Sequence, residues 1–251
     1  MGLPFLKHRH ILLFFVLGVF LAVGVPQQGV TQLATPAAQV QQGVDQYEAG
    51  DFQAAIASWQ TALAAYQESG NQLNQAIAAE NIARAYRRVG NDAEALPYWQ
   101  QTAALYAQLQ RPAKLGRMLT EKAQTYTSLG QYSQAAGLLC AVASDGPGHD
   151  QPPCRADSAI GLARQEGDGL GEAAALGSLG EVYRLQGRSE WAEATLSQSL
   201  EKARATNQGT YQAAANMSLG SLHLQRARAS DRRAAGALQR GDDAAALRQQ
   251  A

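Results

Sequence analysis

The sequence predicts an all-α protein, a right-handed α-α superhelix of stacked helical hairpins with a loop inserted in the third repeat. Three observations carry this. Ala, Gln, Leu and Gly dominate the 251 residues and β-branched residues are sparse, a composition that favours helix over sheet. Gly50, Gly90 and Gly130 recur forty residues apart, and Gly187 follows in a fourth similar segment. Five residues after each glycine stands an alanine (Ala55, Ala95, Ala135, Ala192), and nine after it a large apolar residue (Trp59, Trp99, Leu139, Leu196).

Residues 1–25 form a separate unit. Lys7 and Arg9, flanked by histidines, precede ILLFFVLGVFLAVGV, residues 11–25. A basic stretch before a short apolar run is the pattern of a secretory signal, and the run is short for a span of about 20 residues. Small residues at Ala22-Val23-Gly24 and at Thr35-Pro36-Ala37 offer two cleavage positions. The alternative is an uncleaved inner-membrane anchor. Either reading expects export to the periplasm or beyond, with a membrane touched only through that anchor. Residues 26–38 read as a linker. The formal net charge is zero, so no overall field points to nucleic acid.

The repeats then run in order. The segments 40–63, 80–103 and 120–143 align without a gap, and 177–200 is a fourth copy. A tyrosine stands four residues before the glycine in three of them: Tyr86, Tyr126 and Tyr183. Each unit reads as two helices. The glycine ends the first, where a left-handed residue is often needed. The alanine marks a close helix crossing, and the large residue fills the gap to the next unit. Such a hairpin cannot bury its own apolar face, so it must stack on neighbours. The aromatic series therefore reads as core. A fifth copy begins at 214, but Ala227 stands where its turn glycine should fall, and Gly241 in GDDAAAL offers only a displaced turn. The array is expected over 39–227, with 228–251 a helical cap or incomplete repeat.

This pattern resembles the tetratricopeptide repeat (TPR) family in a forty-residue spacing. Its opening QQG…Y..GDF..AI..WQ.AL and its GEAAALGSLGEVYRLQG are similar to the N-terminal part of cyanobacterial TPR proteins, many of which carry a C-terminal caspase-like CHAT protease domain. The resemblance implies a non-catalytic scaffold that binds a protein or peptide along its concave side. The alternative it implies is a regulatory arm of a CHAT protease system, with the protease domain absent from this chain. The first helix of each pair would line the concave side, which carries over to Glu80, Arg84, Arg87 and Arg88, to Gln124, and to Glu181 and Arg184. Arginines there could grip carboxylates by paired hydrogen bonds. They could equally be a solvated face, since Glu80 and Arg84 stand at an i,i+4 spacing.

The third repeat is interrupted. Its successor's turn glycine should fall at 170 but falls at Gly187. The added stretch, CAVASDGPGHDQPPC at 140–154, holds both cysteines and several helix-breaking residues. The second helix of this repeat is expected to begin at Tyr132, break near Ser144 and resume near Arg155. Three readings of the cysteines stay open: a Cys140–Cys154 disulfide, which an exported chain permits; a buried Cys140 with Cys154 incidental; or a reactive site using His149. No P-loop, dinucleotide fingerprint, HExxH, zinc-spaced cysteine pair or serine-hydrolase elbow is present. No catalytic residue, metal or cofactor is therefore expected.

Overall fold

The computed structural model describes residues 35–140 and 154–250, with side chains as far as residue 240. Residues 1–34, which hold the expected signal or anchor and most of the linker, lie outside the described residues, as does 141–153 of the insertion. The described residues form ten helices and no strand. They are α1 (Pro36–Glu48), α2 (Phe52–Glu68), α3 (Gln72–Arg88), α4 (Asp92–Gln108), α5 (Pro112–Ser128), α6 (Tyr132–Leu139), α7 (Ala159–Gln165), α8 (Gly169–Leu185), α9 (Ser189–Ala205) and α10 (Gly209–Gln250). The helix α1 starts inside the segment read as linker. Thr35 caps it by accepting from the Ala38 N–H at 3.2 Å, and Pro36 occupies the first turn, where its missing N–H costs nothing.

One turn is used repeatedly. Gly50, Gly90, Gly130 and Gly187 have φ of 84, 79, 73 and 75°. In each, the residue after the glycine donates its N–H to the carbonyl five positions back, at 2.8–2.9 Å: Asp51 to Gln46, Asn91 to Tyr86, Gln131 to Tyr126, Arg188 to Tyr183. This is the Schellman closure, which satisfies carbonyls that the helix end leaves open. The residue after the glycine also opens the next helix. Asp51 accepts from the Ala54 N–H at 3.1 Å. At the first of these turns a three-residue connection, Ala49 to Asp51, therefore ends one helix and caps the next.

The alanines Ala55, Ala95, Ala135 and Ala192 are wholly buried, as are Trp99, Leu139 and Leu196. Gly180 lets α8 and α9 meet. A Cβ built on it would lie 2.6 Å from Leu196 Cγ. Three core clusters run into one another, the first two through Tyr86 and Tyr98 and the next two through Leu119. Tyr183 is buried, while Tyr86 and Tyr126 are half-buried links between layers.

Two expectations need correction. The second helix of the third repeat breaks earlier and resumes later than the sequence suggests. It stops at Leu139, and α7 begins only at Ala159. The Cys140 carbonyl accepts from the Arg155 N–H at 3.1 Å, so it does not continue a helix. Ser158 then caps α7 through the Gly161 N–H at 3.2 Å. Cys140 and Cys154 are joined, with S–S 2.00 Å and Cα–Cα 4.5 Å. The short α6 and α7 both pack on α5 and together stand in for one second helix. At the other end the described residues form no fifth hairpin. The helix α10 runs for 42 residues through both Ala227 and Gly241. Ala227 is a strong helix former and offers no left-handed stop. The array is thus four hairpins followed by one long helix.

Candidate functional site

The first helices of successive hairpins line a run of adjoining hollows. One, of about 350 Å3, lies between α5, α8 and α10. Ala173, Ala174, Gly177 and Ala214 give it small apolar walls, and Gln124, Ser178 and Ser218 edge it. A second, also about 350 Å3, is walled by Tyr47, Arg84, Arg87, Arg88 and Glu121. A third, of about 170 Å3, shares Gln124, Ala174 and Tyr211 with the first and Arg84 and Glu121 with the second. The hollows form one groove, apolar towards α10 and charged towards α3.

Of the residues that the sequence carries to the concave side, Arg84, Arg87, Arg88, Gln124 and Glu181 line these hollows, and Glu80 and Arg184 do not. Arg84 donates to Glu80 Oε1 at 2.8 Å and lies 3.8 Å from Glu121 Oε1. Arg87 Nη1 donates to Glu121 Oε2 at 2.7 Å and to Gln124 Oε1 at 3.2 Å, and its Nε lies 3.5 Å from Asp92 Oδ1. Arg88 stands apart, 5.6 Å over the Phe52 ring. Arg184 holds Glu181 through two bonds of 2.9 and 2.6 Å and reaches Gln225 Oε1 at 3.4 Å. Gln124 Nε2 donates to Ser178 Oγ at 3.0 Å, which in turn donates to the Ala174 carbonyl at 2.9 Å. The three arginines of α3 are therefore not an open basic patch. Two are already matched to carboxylates, and the groove's charges cancel locally. Thr120 of α5 is buried, its hydroxyl donating to the Gly116 carbonyl at 3.0 Å.

Several participants escape the sequence reading. Tyr106 donates to Glu80 Oε2 at 3.2 Å. Burial, then the Glu80 charge, pushes its hydroxyl up to about 12. Arg117 grips Asp168 through two bonds of 2.9 and 3.0 Å, and this holds the Asp168 carboxyl below its ordinary range. Asp168 also caps α8 through the Gly171 N–H. Behind the groove, Glu172 is 5 % exposed and bridges Arg164 of α7 at 2.7 Å and Lys202 of α9 at 2.9 Å. Burial pushes its pKa up, but the two cations outweigh that and hold it low. Charge complementarity about one repeat apart could signal the Arg117–Asp168 pair, but the insertion lengthens its separation to 51 residues. Among the described residues no group of three or more His, Cys, Asp or Glu is placed to hold a metal.

Helices of 17 residues, tight three-residue turns and an alanine at each crossing define a TPR-like helical-repeat protein, an architecture of the protein-interaction scaffold type. Over residues 19–149, just over half its length, the sequence matches the model of the soluble NSF attachment protein (SNAP) family, and the chain belongs to that family. Solved structures share the fold. A kinesin light chain of Podosopora anserina with nearly identical TPR-like repeats superposes with a TM-score of 0.55 at 17% identity, covering 78% of this chain and 90% of that one. BtubC (BKLC) from P. vanneervenii gives 0.56 at 16% identity, covering 79% and 80%. No curated protein matches the sequence.

Proposed function

We propose that the chain is a non-catalytic, exported scaffold that holds a peptide or protein segment in its concave groove, centred on the hollow between α5, α8 and α10. The observation that carries this is that hollow. Its walls are small and apolar, and several of the polar groups beside it are already bonded within the chain. Gln124 bonds Ser178, and the Ser199 hydroxyl donates to the Ala173 carbonyl at 2.8 Å. A pocket so built gains by burying an apolar side chain and asks for no new ion pair. Arg87 and Glu181 line this hollow and Arg84 the adjoining ones; with their ion-pair partners Glu80 and Arg184 they form a charged rim, where matched charges set register and reject badly charged partners more than they add affinity. Arg88, with no carboxylate partner among the described residues, is the rim cation best placed to meet an acidic group. Export is supported by the Cys140–Cys154 bond, which suits an oxidising compartment.

The test is selection from a random peptide library displayed on phage. Ala214 is exposed and faces the hollow from α10, so Ala214→Trp fills it without entering the core. Peptides selected on the parent should contain a large apolar residue and lose binding to Ala214→Trp while the melting temperature stays unchanged. Enriched peptides that bind both forms equally would place recognition elsewhere.

A further inference from the structure

The helix α10 carries two stripes, and the array uses one. Ala215 and Leu222 are buried, 2 and 0 % exposed, where α10 packs on α8 and α9. On the opposite side Met217, Leu224 and Leu238 are 74, 52 and 72 % exposed. Their spacing of seven and fourteen residues, with Asp231 at the intervening heptad place, keeps them on one line along the helix. Between them fall Gly220, Ala227 and Ala234, all exposed. This alternation of large and small residues at three- and four-residue steps is a coiled-coil seam.

We propose that this seam pairs with the same seam of a second copy, antiparallel, making the protein a two-fold dimer. The sequence supplies the complementarity that a two-fold interface demands. With the axis near residue 229, Leu238 lies opposite Gly220 of the second copy, Leu224 opposite its Ala234 and Asp231 opposite its Ala227. Every layer joins a larger side chain to a small one over a length of about 27 Å. Parallel pairing would set Leu on Leu, Gly on Gly and Asp231 on Asp231, leaving gaps and a repulsive centre. The antiparallel axis instead gathers two Arg228 and two Asp231 into one neutral cluster. Neither residue has an ion-pair partner in its own chain among the described residues. Asp231 also decides against a lipid surface, since insertion of the stripe would bury an unpaired carboxylate. One polar residue at such a seam is a known means of fixing orientation.

Sedimentation velocity of the full chain tests this, with circular dichroism as the folding control. The parent should sediment as a dimer. Asp231→Lys leaves four cations at the axis and Arg228→Glu leaves four carboxylates, so each should weaken association by about tenfold or more. The double variant Asp231→Lys/Arg228→Glu restores two charges of each sign and should restore the dimer. For orientation, Ser221→Cys on one chain should cross-link to Ala235→Cys on another in preference to a second Ser221→Cys chain. A parent that stays monomeric at about 100 µM, where even a weak specific pair would form, overturns the proposal. So does a dimer indifferent to both charge reversals, or one that cross-links Ser221→Cys to itself.

Discussion

Replacing Glu172 with Gln should measurably loosen the junction of α7, α8 and α9. The carboxylate is 5 % exposed and accepts from Arg164 at 2.7 Å and Lys202 at 2.9 Å. Hydrogen bonds to a charged group contribute about 1.5–3 kcal/mol each in favourable settings. Both partner side chains are 47 % exposed, so they rehydrate once released, and solvent screens what they contribute. Gln also keeps the shape and some bonding. The net loss should be about 1–2 kcal/mol, or roughly 3–6 °C in melting temperature for a domain of this size. Removing both cations instead, in Arg164→Ala/Lys202→Ala, strands a buried charge and should cost more, about 3–5 kcal/mol. The pH dependence follows from the depressed carboxyl. Its stabilisation is complete above the unfolded-state value of about 4.3 and is lost as pH falls through the lower folded-state value. Parent and Glu172→Gln should therefore differ most at neutral pH and draw together as pH falls through the folded-state value. Urea melts across a descending pH series provide the assay. A double variant no less stable than Glu172→Gln, or two parallel acid limbs, would refute the reasoning.

Other outcomes follow from the same geometry. Gly180→Ala should gain about 1 kcal/mol of helix propensity yet lose about 1–3 kcal/mol to the clash with Leu196; a raised urea midpoint would show that α8 and α9 can part. Arg87→Ala should lower stability, because its guanidinium joins α3 to Glu121 and Gln124, whereas the exposed Arg88→Ala should leave the unfolding free energy within about 0.5 kcal/mol of the parent. Cys154→Ser opens a loop with a separation of 14 residues, which costs about 3 kcal/mol in the chain-entropy account. Hydrogen exchange should then quicken in α6 and α7 and stay unchanged in α1 to α4, and two free thiols on alkylation of the exported parent would dispose of the bond.

Much of the architecture could be read from the sequence because a repeat states it several times. Gly50, Gly90, Gly130 and Gly187 announce left-handed turns, and Ala55, Ala95, Ala135 and Ala192 announce crossings, since each position obeys a local steric rule. The groove residues were legible as places but not as charge states. Arg87 meets Glu121 across 34 residues and Arg117 meets Asp168 across 51, separations that depend on how hairpins stack and on where the insertion falls. Glu172 stands in the first turn of α8, and nothing local signals that two other helices reach it. The end of the array failed for a different reason. The sequence lacks a stop at Ala227, and the absence of a stop reads as ambiguity until the helix is seen to continue.

The central claim is that the groove between α5, α8 and α10 receives a partner protein, and site-specific photo-crosslinking tests it most directly. A benzophenone side chain is placed at Tyr211, on the groove, and in a second protein at Ser197, which is exposed on α9 and lines none of its hollows. Each is irradiated with a peptide obtained by selection on the parent. The account predicts a covalent adduct from Tyr211 that Ala214→Trp abolishes, and none from Ser197. Adducts from Ser197 alone, or from Tyr211 regardless of Ala214→Trp, would contradict it.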